Sequence, residues 1–294
     1  MRCLTFVMLG TAACLAGAMS ELQGAPRQSR SAAEAIAATE RAFAAQALVE
    51  GLGTGFRANV ADDAVALEPD PTTGEFHVIS AKAKVFARPA PHRPSNIHWW
   101  PAFAGASGAG DLGFTTGPVI FGEKGYGLVF TVWAKQSDGR WKYYFDGGPG
   151  TEAKTDLKPE DPTQFLSMTP RRGGNAAKAR REVAVVEAKL AAAAVTDTRR
   201  AYEPYLANST RILGSPKGPA IGTKAGIAAL AERPTAIRFE TLGARSASSG
   251  DLVFTYGQAS WQGTHAGFAR IWYWTARGWR LAFDEIVEPP PKAG

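Results

Sequence analysis

The chain has 294 residues, with 33 Lys+Arg against 27 Asp+Glu, a formal net charge of +6, eight Trp and two Cys. Hydrophobic residues at 45% and charged residues at 20% are the balance of a globular protein and exclude a disordered one. The 32 glycines follow no fixed period, which excludes a collagen-like chain, and at roughly 150 residues per domain the length divides into two.

In chain order, Arg2 supplies a positive start and residues 4–15 form an uncharged run of small and apolar side chains. Ala16-Gly17-Ala18 then gives a small-x-small cleavage pattern. These features predict an export signal over residues 1–18 and a periplasmic or secreted protein. The apolar run is shorter than the roughly 20 residues a spanning helix needs, and no other stretch of that length is apolar, so no membrane span is expected. Cleavage before Met19 removes Cys3 and Cys14 and leaves a mature charge of +5. No thiol then remains for a disulfide, a metal site or catalysis. Lipid anchoring at Cys14 is disfavoured, because Thr11 rather than a large aliphatic residue stands three positions before it.

An alanine-rich helix is predicted over 33–48 and a shorter one over 55–60, from apolar residues at helical spacing. Strands are predicted over 99–104, 111–119, 126–135 and 141–146, with a tight turn at Ser137-Asp138-Gly139. Residues 147–175 have linker composition, with one anchored turn at Phe165-Leu166. Helices follow at 178–195 and 199–206, then strands at 239–244, 252–261, 267–275 and 279–287. Domain bounds of 31–150 and 178–288 result, with a linker at 151–177 and a proline-rich tail at 289–294. Helices first and antiparallel strands afterwards make an α+β fold.

The second set of elements repeats the first. Gly110-Asp111-Leu112-Gly113-Phe114-Thr115-Thr116-Gly117 matches Gly250-Asp251-Leu252-Val253-Phe254-Thr255-Tyr256-Gly257 at six of eight positions, at an offset of 140. Val132-Trp133 lies against Ile271-Trp272, and Trp141 to Asp146 lies against Trp279 to Asp284. Near the N-termini, Glu40-Arg41-Ala42-Phe43 resembles Glu187-Ala188-Lys189-Leu190.

The helix pair, Trp99-Trp100-Pro101, the run from Ser107 to Thr115, Val132-Trp133, Asp138-Gly139-Arg140-Trp141-Lys142 and a closing Asp146 resemble the SnoaL-like, DUF4440 branch of the NTF2-like superfamily. The resemblance covers both copies and is weaker in the second, where Phe239 and Thr241 replace Trp99 and Pro101. It implies two tandem cone-shaped α+β barrels, each with helices packed on a curved antiparallel sheet and a pocket at the open end. Family members include isomerases, cyclases, dehydratases and non-catalytic binding domains, so the fold does not settle the function.

The candidate ligand-binding residues are Trp99, Trp133, Tyr144, Asp146, His265, Arg270, Trp272, Trp274, Asp284 and Glu285. The eight Trp fall four to each set of strands. Trp133 shares a strand face with Thr131, and Trp272 with Arg270 and Trp274, a mixture that suits either a ligand cavity or a sheet-to-sheet contact. Strict alternation places Asp146 with Lys142 and Tyr144, and Asp284 with Arg280, as ion pairs on a solvated face; a bulge near the strand end would reverse that parity. Glu285 lies with Phe283, and its pKa rises if it is buried. Asp111 and Asp251 read as turn caps. His265 aligns with Tyr126, at a pocket mouth. His77, His92 and His98 have no metal-ligand spacing, so no metal or other cofactor is expected. Lys and Arg are scattered, and no phosphate loop, nucleophile elbow or triad order appears, so nucleic acid is not an expected partner.

The first reading is therefore an exported protein that binds a small apolar or amphipathic molecule without assigned catalysis. The alternatives are an isomerase, cyclase or hydrolase with one active copy, and a structural module that uses its aromatic sheet faces. Two fused copies could also pack their sheets as an intramolecular pseudo-dimer, or the chain could form a homodimer. A buried carboxylate facing an apolar pocket favours the enzyme; a pocket filled by its own side chains favours the interaction module.

Overall fold

The computed structural model describes residues 12–123, 125–214 and 218–289, with side chains from Arg27 onward. Residues 1–11 of the expected export signal and 290–294 of the expected tail lie outside the described residues. The chain is α+β. Helix α1 (Ala12–Glu50) begins well before the expected start at 33 and leads into α2 (Leu52–Asn59). Gly51 joins them at φ +99°, and a Cβ there would stand 2.6 Å from the Arg93 carbonyl, so the corner requires glycine.

A hairpin absent from the sequence reading follows, formed by β1 (Val65–Pro69) and β2 (Phe76–Ser80). The Asp70 carboxylate closes its turn by accepting the Thr72 and Thr73 N–H groups at 2.8 Å each. Next come α3 (Ala81–Ala87), β3 (Ile97–Trp99) and β4 (Phe103–Ala106). The strand expected over 99–104 is thus two strands, interrupted around Pro101, which has no N–H for a ladder. Strands β5 (Leu112–Phe121), β6 (Gly125–Lys135) and β7 (Trp141–Gly147) lie within two residues of expectation.

The segment read as a linker is tied down. Strand β8 (Gly150–Thr151) pairs with β6, and β9 (Gln164–Phe165) pairs parallel with β4. Further on, the Arg171 guanidinium donates to the Gly250 carbonyl at 2.5 Å and stacks over Trp274, 4.1 Å from the ring centre.

The second unit has α4 (Ala176–Ala194), α5 (Thr198–Tyr202) and a single 3-10 turn (Glu203–Tyr205). Short strands β10 (Arg211–Ile212) and β11 (Ala220–Ile221) and helix α6 (Gly222–Leu230) were not expected. The four long strands are β12 (Arg238–Ser246), β13 (Leu252–Trp261), β14 (Thr264–Thr275) and β15 (Gly278–Val287). The sheet orders are β7-β6-β5-β4-β9 and β11-β10-β15-β14-β13-β12.

Each long helix covers one face of its own sheet. Helix α1 buries Ala33, Ile36, Phe43 and Ala47 against Trp99, Trp133 and Tyr143. Helix α4 buries Ala179, Val183, Leu190 and Ala194 against Phe239, Trp272 and Trp279. Both stripes have the three- and four-residue spacing of one helix face.

The opposite faces of the two sheets meet in one apolar layer drawn from both units, including Phe114, Phe130 and Phe145 from the first and Phe254, Tyr256 and Phe283 from the second. Phe130 stacks on Phe283 at 3.8 Å between ring centres, and Phe145 lies 5.1 Å from Phe254. The turns at the edge of this layer exchange reciprocal hydrogen bonds. The Asp111 carboxylate accepts the Ser248 N–H, and the Asp251 carboxylate accepts the Gly108 N–H, each at 2.9 Å. Gly108 and Ser248 are equivalent positions of the repeat, so the contact has the reciprocity of a two-fold axis. The two aspartates do cap turns, but each caps the other unit's turn.

Both closing hairpins carry the same β-bulge. The register shifts between Val132 and Trp133 opposite Tyr143–Phe145, and between Ile271 and Trp272 opposite Leu281–Phe283. The extra residue, Tyr144 or Ala282, reverses the alternation of everything beyond it. Asp146 and Asp284 therefore turn toward the helix side of their sheets, and the solvated ion pairs with Lys142 and Arg280 do not form.

Candidate functional site

In the middle of each apolar helix stripe stands one glutamate, Glu40 on α1 and Glu187 on α4, 0% and 3% exposed. In the first unit the Trp99 indole N–H donates to Glu40 Oε1 at 2.7 Å and the Thr115 hydroxyl donates to Oε2 at 2.5 Å. The Trp133 indole donates to Thr115 Oγ1 at 3.0 Å and to Glu40 Oε2 at 3.3 Å. The second unit repeats this centre: the Trp272 indole and Thr255 hydroxyl donate to Glu187 Oε1 at 2.7 and 2.6 Å. Trp99, Trp133 and Trp272 are thus donors to buried carboxylates.

The units differ at one position of the sixth and fourteenth strands. Thr131 pairs with Asp146 across the first hairpin, where Arg270 pairs with Asp284 across the second. The Arg270 guanidinium donates to Glu187 Oε2 at 2.6 Å, to Asp284 Oδ2 at 2.8 Å and to the Tyr202 hydroxyl at 2.6 Å. Arg233 Nη1 lies 2.6 Å from Asp284 Oδ1. Burial pushes the Asp284 carboxyl up, but Arg233 and Arg270 more than offset this and hold it below the usual range. The interior of the second unit is filled by its own ion pairs.

In the first unit, among the described residues, no cation stands between Glu40 and Asp146. The Thr131 hydroxyl donates to Asp146 Oδ2 at 2.9 Å. Burial, then the nearby Glu40 carboxyl, push Asp146 up to about 8, against the opposing hydrogen bond from Thr131. Burial likewise raises Glu40, partly offset by its Thr115 and Trp99 donors. The Thr131-for-Arg270 difference, together with Arg233, thus separates a second-unit centre whose aspartate is lowered from a first-unit centre whose carboxyls are raised.

Asp146 opens on a cavity of about 610 Å3 between α2, the β1–β2 hairpin, α3 and the end of β7. Its walls include Phe56, Val65, Leu67, Phe76 and Phe268. The second unit closes one side with Glu285, which is 1% exposed. Glu285 Oε1 lies 3.6 Å from the point where a Cβ on Gly147 would stand. Gly147 is the counterpart of Glu285 in the repeat, so the absent side chain of one copy makes room for the carboxyl of the other. Burial, then Asp284 and Asp146, raise Glu285 well above the usual carboxyl range. The Tyr143 hydroxyl and Glu285 Oε2 are buried with no hydrogen-bond partner. Buried polar atoms are almost always paired, and these two unpaired ones line the same apolar cavity. Lys84, Arg88 and Glu288 stand on the lining as well.

The remaining candidates lie elsewhere. Tyr144 is buried in the layer between the sheets, edge-on to Phe254 at 6.2 Å, under the Arg245 guanidinium. Trp274 packs on Trp279 and Arg171. His265 packs near Gly74 of the β1–β2 turn, its Nδ1 buried without a partner, and is not among the lining residues of the 610 Å3 cavity. Arg270, Trp272 and Asp284 belong to the filled centre. Of the ten candidates, Asp146 and Glu285 meet at this cavity, and they come from different copies. Tyr143, Glu40 and Glu187 were missed. A glutamate interrupting an apolar helix stripe in both copies was the available signal for the last two.

No family model matches this chain, and no curated protein matches it. Among solved structures, it is similar over 40% of its length to 90% of an NTF2-like protein of unknown function from Pseudomonas putida, at 11% identity and a TM-score of 0.33. A protein of unknown function with a cystatin-like fold from Nostoc punctiforme matches over 40% of this chain and 96% of its own, at 16% identity and a TM-score of 0.33. A de novo designed protein with a curved β-sheet matches over 35% of this chain and 97% of its own, at 15% identity and a TM-score of 0.31.

Proposed function

We propose that the first unit binds a small, mainly apolar molecule carrying a carbonyl or hydroxyl oxygen, and that Asp146 and Glu285 exchange protons with it. The observation that supports this reading is the meeting of two raised carboxyls and an orphan tyrosine hydroxyl at one apolar cavity, beside a second unit whose equivalent centre is neutralised by Arg233 and Arg270. A carboxyl that keeps its proton near neutrality can donate a hydrogen bond, or the proton itself, to a ligand oxygen, while the ionised form of a carboxyl with a raised pKa is the stronger base that takes the proton from an adjacent carbon. The chemistry suited to them is proton transfer, as in enolisation, double-bond migration or loss of water. The second unit serves as a scaffold, contributing Glu285 and the wall around Phe268. In this reading the chain is an exported tandem of NTF2-like, SnoaL-like domains, arranged as an intramolecular pseudo-dimer, in which one copy is active.

Native mass spectrometry of the protein from its own cell envelope tests the binding, and incubation of the released ligand with the protein in D2O tests the chemistry. The expected result is a co-purifying small molecule that takes up deuterium with the wild type and at least a hundredfold more slowly with Asp146→Asn or Glu285→Gln. A ligand that binds but exchanges no deuterium would remove the proton-transfer part and leave a binder. A clean apo mass would count against both.

Asp146 also makes a pH-dependent prediction. Its pKa of about 8 in the folded chain exceeds the ordinary 3.8. The proton it keeps stabilises the fold fully below about pH 4, and this contribution is lost as pH rises through about 8. Asp146→Asn should therefore melt several degrees above the wild type at pH 9 and within about 2 °C of it at pH 4, taking about 2–4 °C per kcal/mol. Equal differences at both pH values would show that Asp146 does not keep its proton.

A further inference from the structure

The two buried arginines of the described chain are in opposite situations. Arg270 is held by two carboxylates, whereas Arg211, 6% exposed, is in no ion pair with a described residue. Its guanidinium donates to two neutral oxygens, the Ser209 carbonyl at 3.1 Å and Gln164 Oε1 at 2.9 Å, and its Cζ lies 3.2 Å from the centre of the Phe103 ring. Burial holds it down at about 10, and no carboxylate contributes in the opposite direction. A buried charge without a counter-charge destabilises the protein, and an anion brought to it removes that penalty.

Arg211 lines a second cavity, of about 370 Å3, at the edge of the layer between the sheets. Its walls are mostly apolar and include Trp100, Val119, Leu128 and Leu213. The 151–162 segment forms another wall, where Lys154, Asp156 and Asp161 are the charged residues. Thr131, Asp146 and Glu285 are not part of this lining, so the cavity is separate from the site described above. Its volume is within the roughly 300–1,000 Å3 of small-molecule sites.

We propose that this second cavity is a binding site for an amphipathic monocarboxylate, with the anionic head paired to the Arg211 guanidinium and the hydrocarbon tail against Trp100, Leu128 and Leu213. A carboxylate accepts two parallel N–H bonds from a guanidinium, which the neutral carbonyl and amide partners now present do not replace. An apolar tail satisfies walls that a small inorganic anion would leave uncovered. The inference stands apart from the proton-transfer reading, since it concerns another cavity and a charge of opposite sign.

Isothermal titration of the full chain with sodium octanoate at pH 7.5 tests it, with octanamide as the uncharged probe of the same length. Saturable octanoate binding is expected, with octanamide at least tenfold weaker on the same wild-type protein. Arg211→Gln should weaken octanoate at least tenfold, while Arg172→Gln, an exposed change of equal charge, leaves it unaltered. The octanamide comparison needs no variant and so holds even if Arg211→Gln does not fold. Absence of octanoate binding, equal binding of the two probes, or full binding retained by a folded Arg211→Gln would each overturn the proposal.

Discussion

Arg270→Met is expected to lower the melting temperature at pH 8 by roughly 10 °C. The guanidinium is completely buried and bridges Glu187 and Asp284, themselves buried. Removing one partner of a buried ion pair leaves an uncompensated charge and costs about 3–5 kcal/mol. At about 2–4 °C per kcal/mol, this is among the largest single-residue effects the chain can show. The loss should shrink at pH 4. Asp284 titrates below its usual range in the wild type, so the stability it contributes is present above about pH 4 and lost as pH falls through its folded value. Without Arg270, Asp284 can instead take up a proton as pH falls and shed its charge. Adding Glu187→Gln to Arg270→Met should recover part of the loss, because the amide oxygen of a glutamine still accepts from Trp272 and Thr255 and Asp284 keeps Arg233 as its partner. Calorimetry at the two pH values decides: a loss below 1 kcal/mol at pH 8 would mean that the buried pair holds nothing in place.

The second large effect concerns the layer between the sheets. Phe130 is fully buried, stacks on Phe283 at 3.8 Å and lies 6.1 Å from both Phe145 and Phe254. Phe130→Ala deletes a ring at the centre of a packed layer and should cost about 3–5 kcal/mol. Because the layer is shared, the wild type is expected to unfold in one transition, and the variant in two as the units uncouple. Phe86→Ala, at a residue 52% exposed, should stay within about 0.5 kcal/mol of the wild type. Urea unfolding followed by fluorescence and by circular dichroism would show this. Two transitions already in the wild type, or a loss below 1 kcal/mol in Phe130→Ala, would argue that each unit stands alone.

Much of the fold was legible in the chain, because its strongest signals are local. Apolar periodicity gave α4 its position, and Gly and Asp turns placed β5–β7 and β13–β15 within three residues. The hairpin of β1 and β2 was not legible: Val65–Pro69 is short, ends in proline and has no clean alternation. Strands β10 and β11 are two residues each, below the length at which a pattern exists. The anchoring of 151–177 was hidden for a related reason, since Arg171 and β9 are held by partners far away in the sequence.

The candidate site was legible in part. The repeat already set Thr131 against Arg270 and Gly147 against Glu285, but a pairwise alignment assigns no consequence to such differences. Parity counting sent Asp146 and Asp284 to the wrong face, because one bulged residue in each hairpin reverses the alternation. Tyr143 passed as one more core aromatic.

What the amino-acid order determined by itself is the duplication, the α+β class and the short-range geometry of turns, strands and helix stripes, all of which depend on neighbours a few residues apart. Only the tertiary structure decided which carboxyls are raised and which are lowered. That depends on burial and on the presence or absence of a guanidinium delivered by another strand, and both are set by packing. The same packing brought Glu285 of one copy over Gly147 of the other, joining a cavity that neither copy's sequence contains alone.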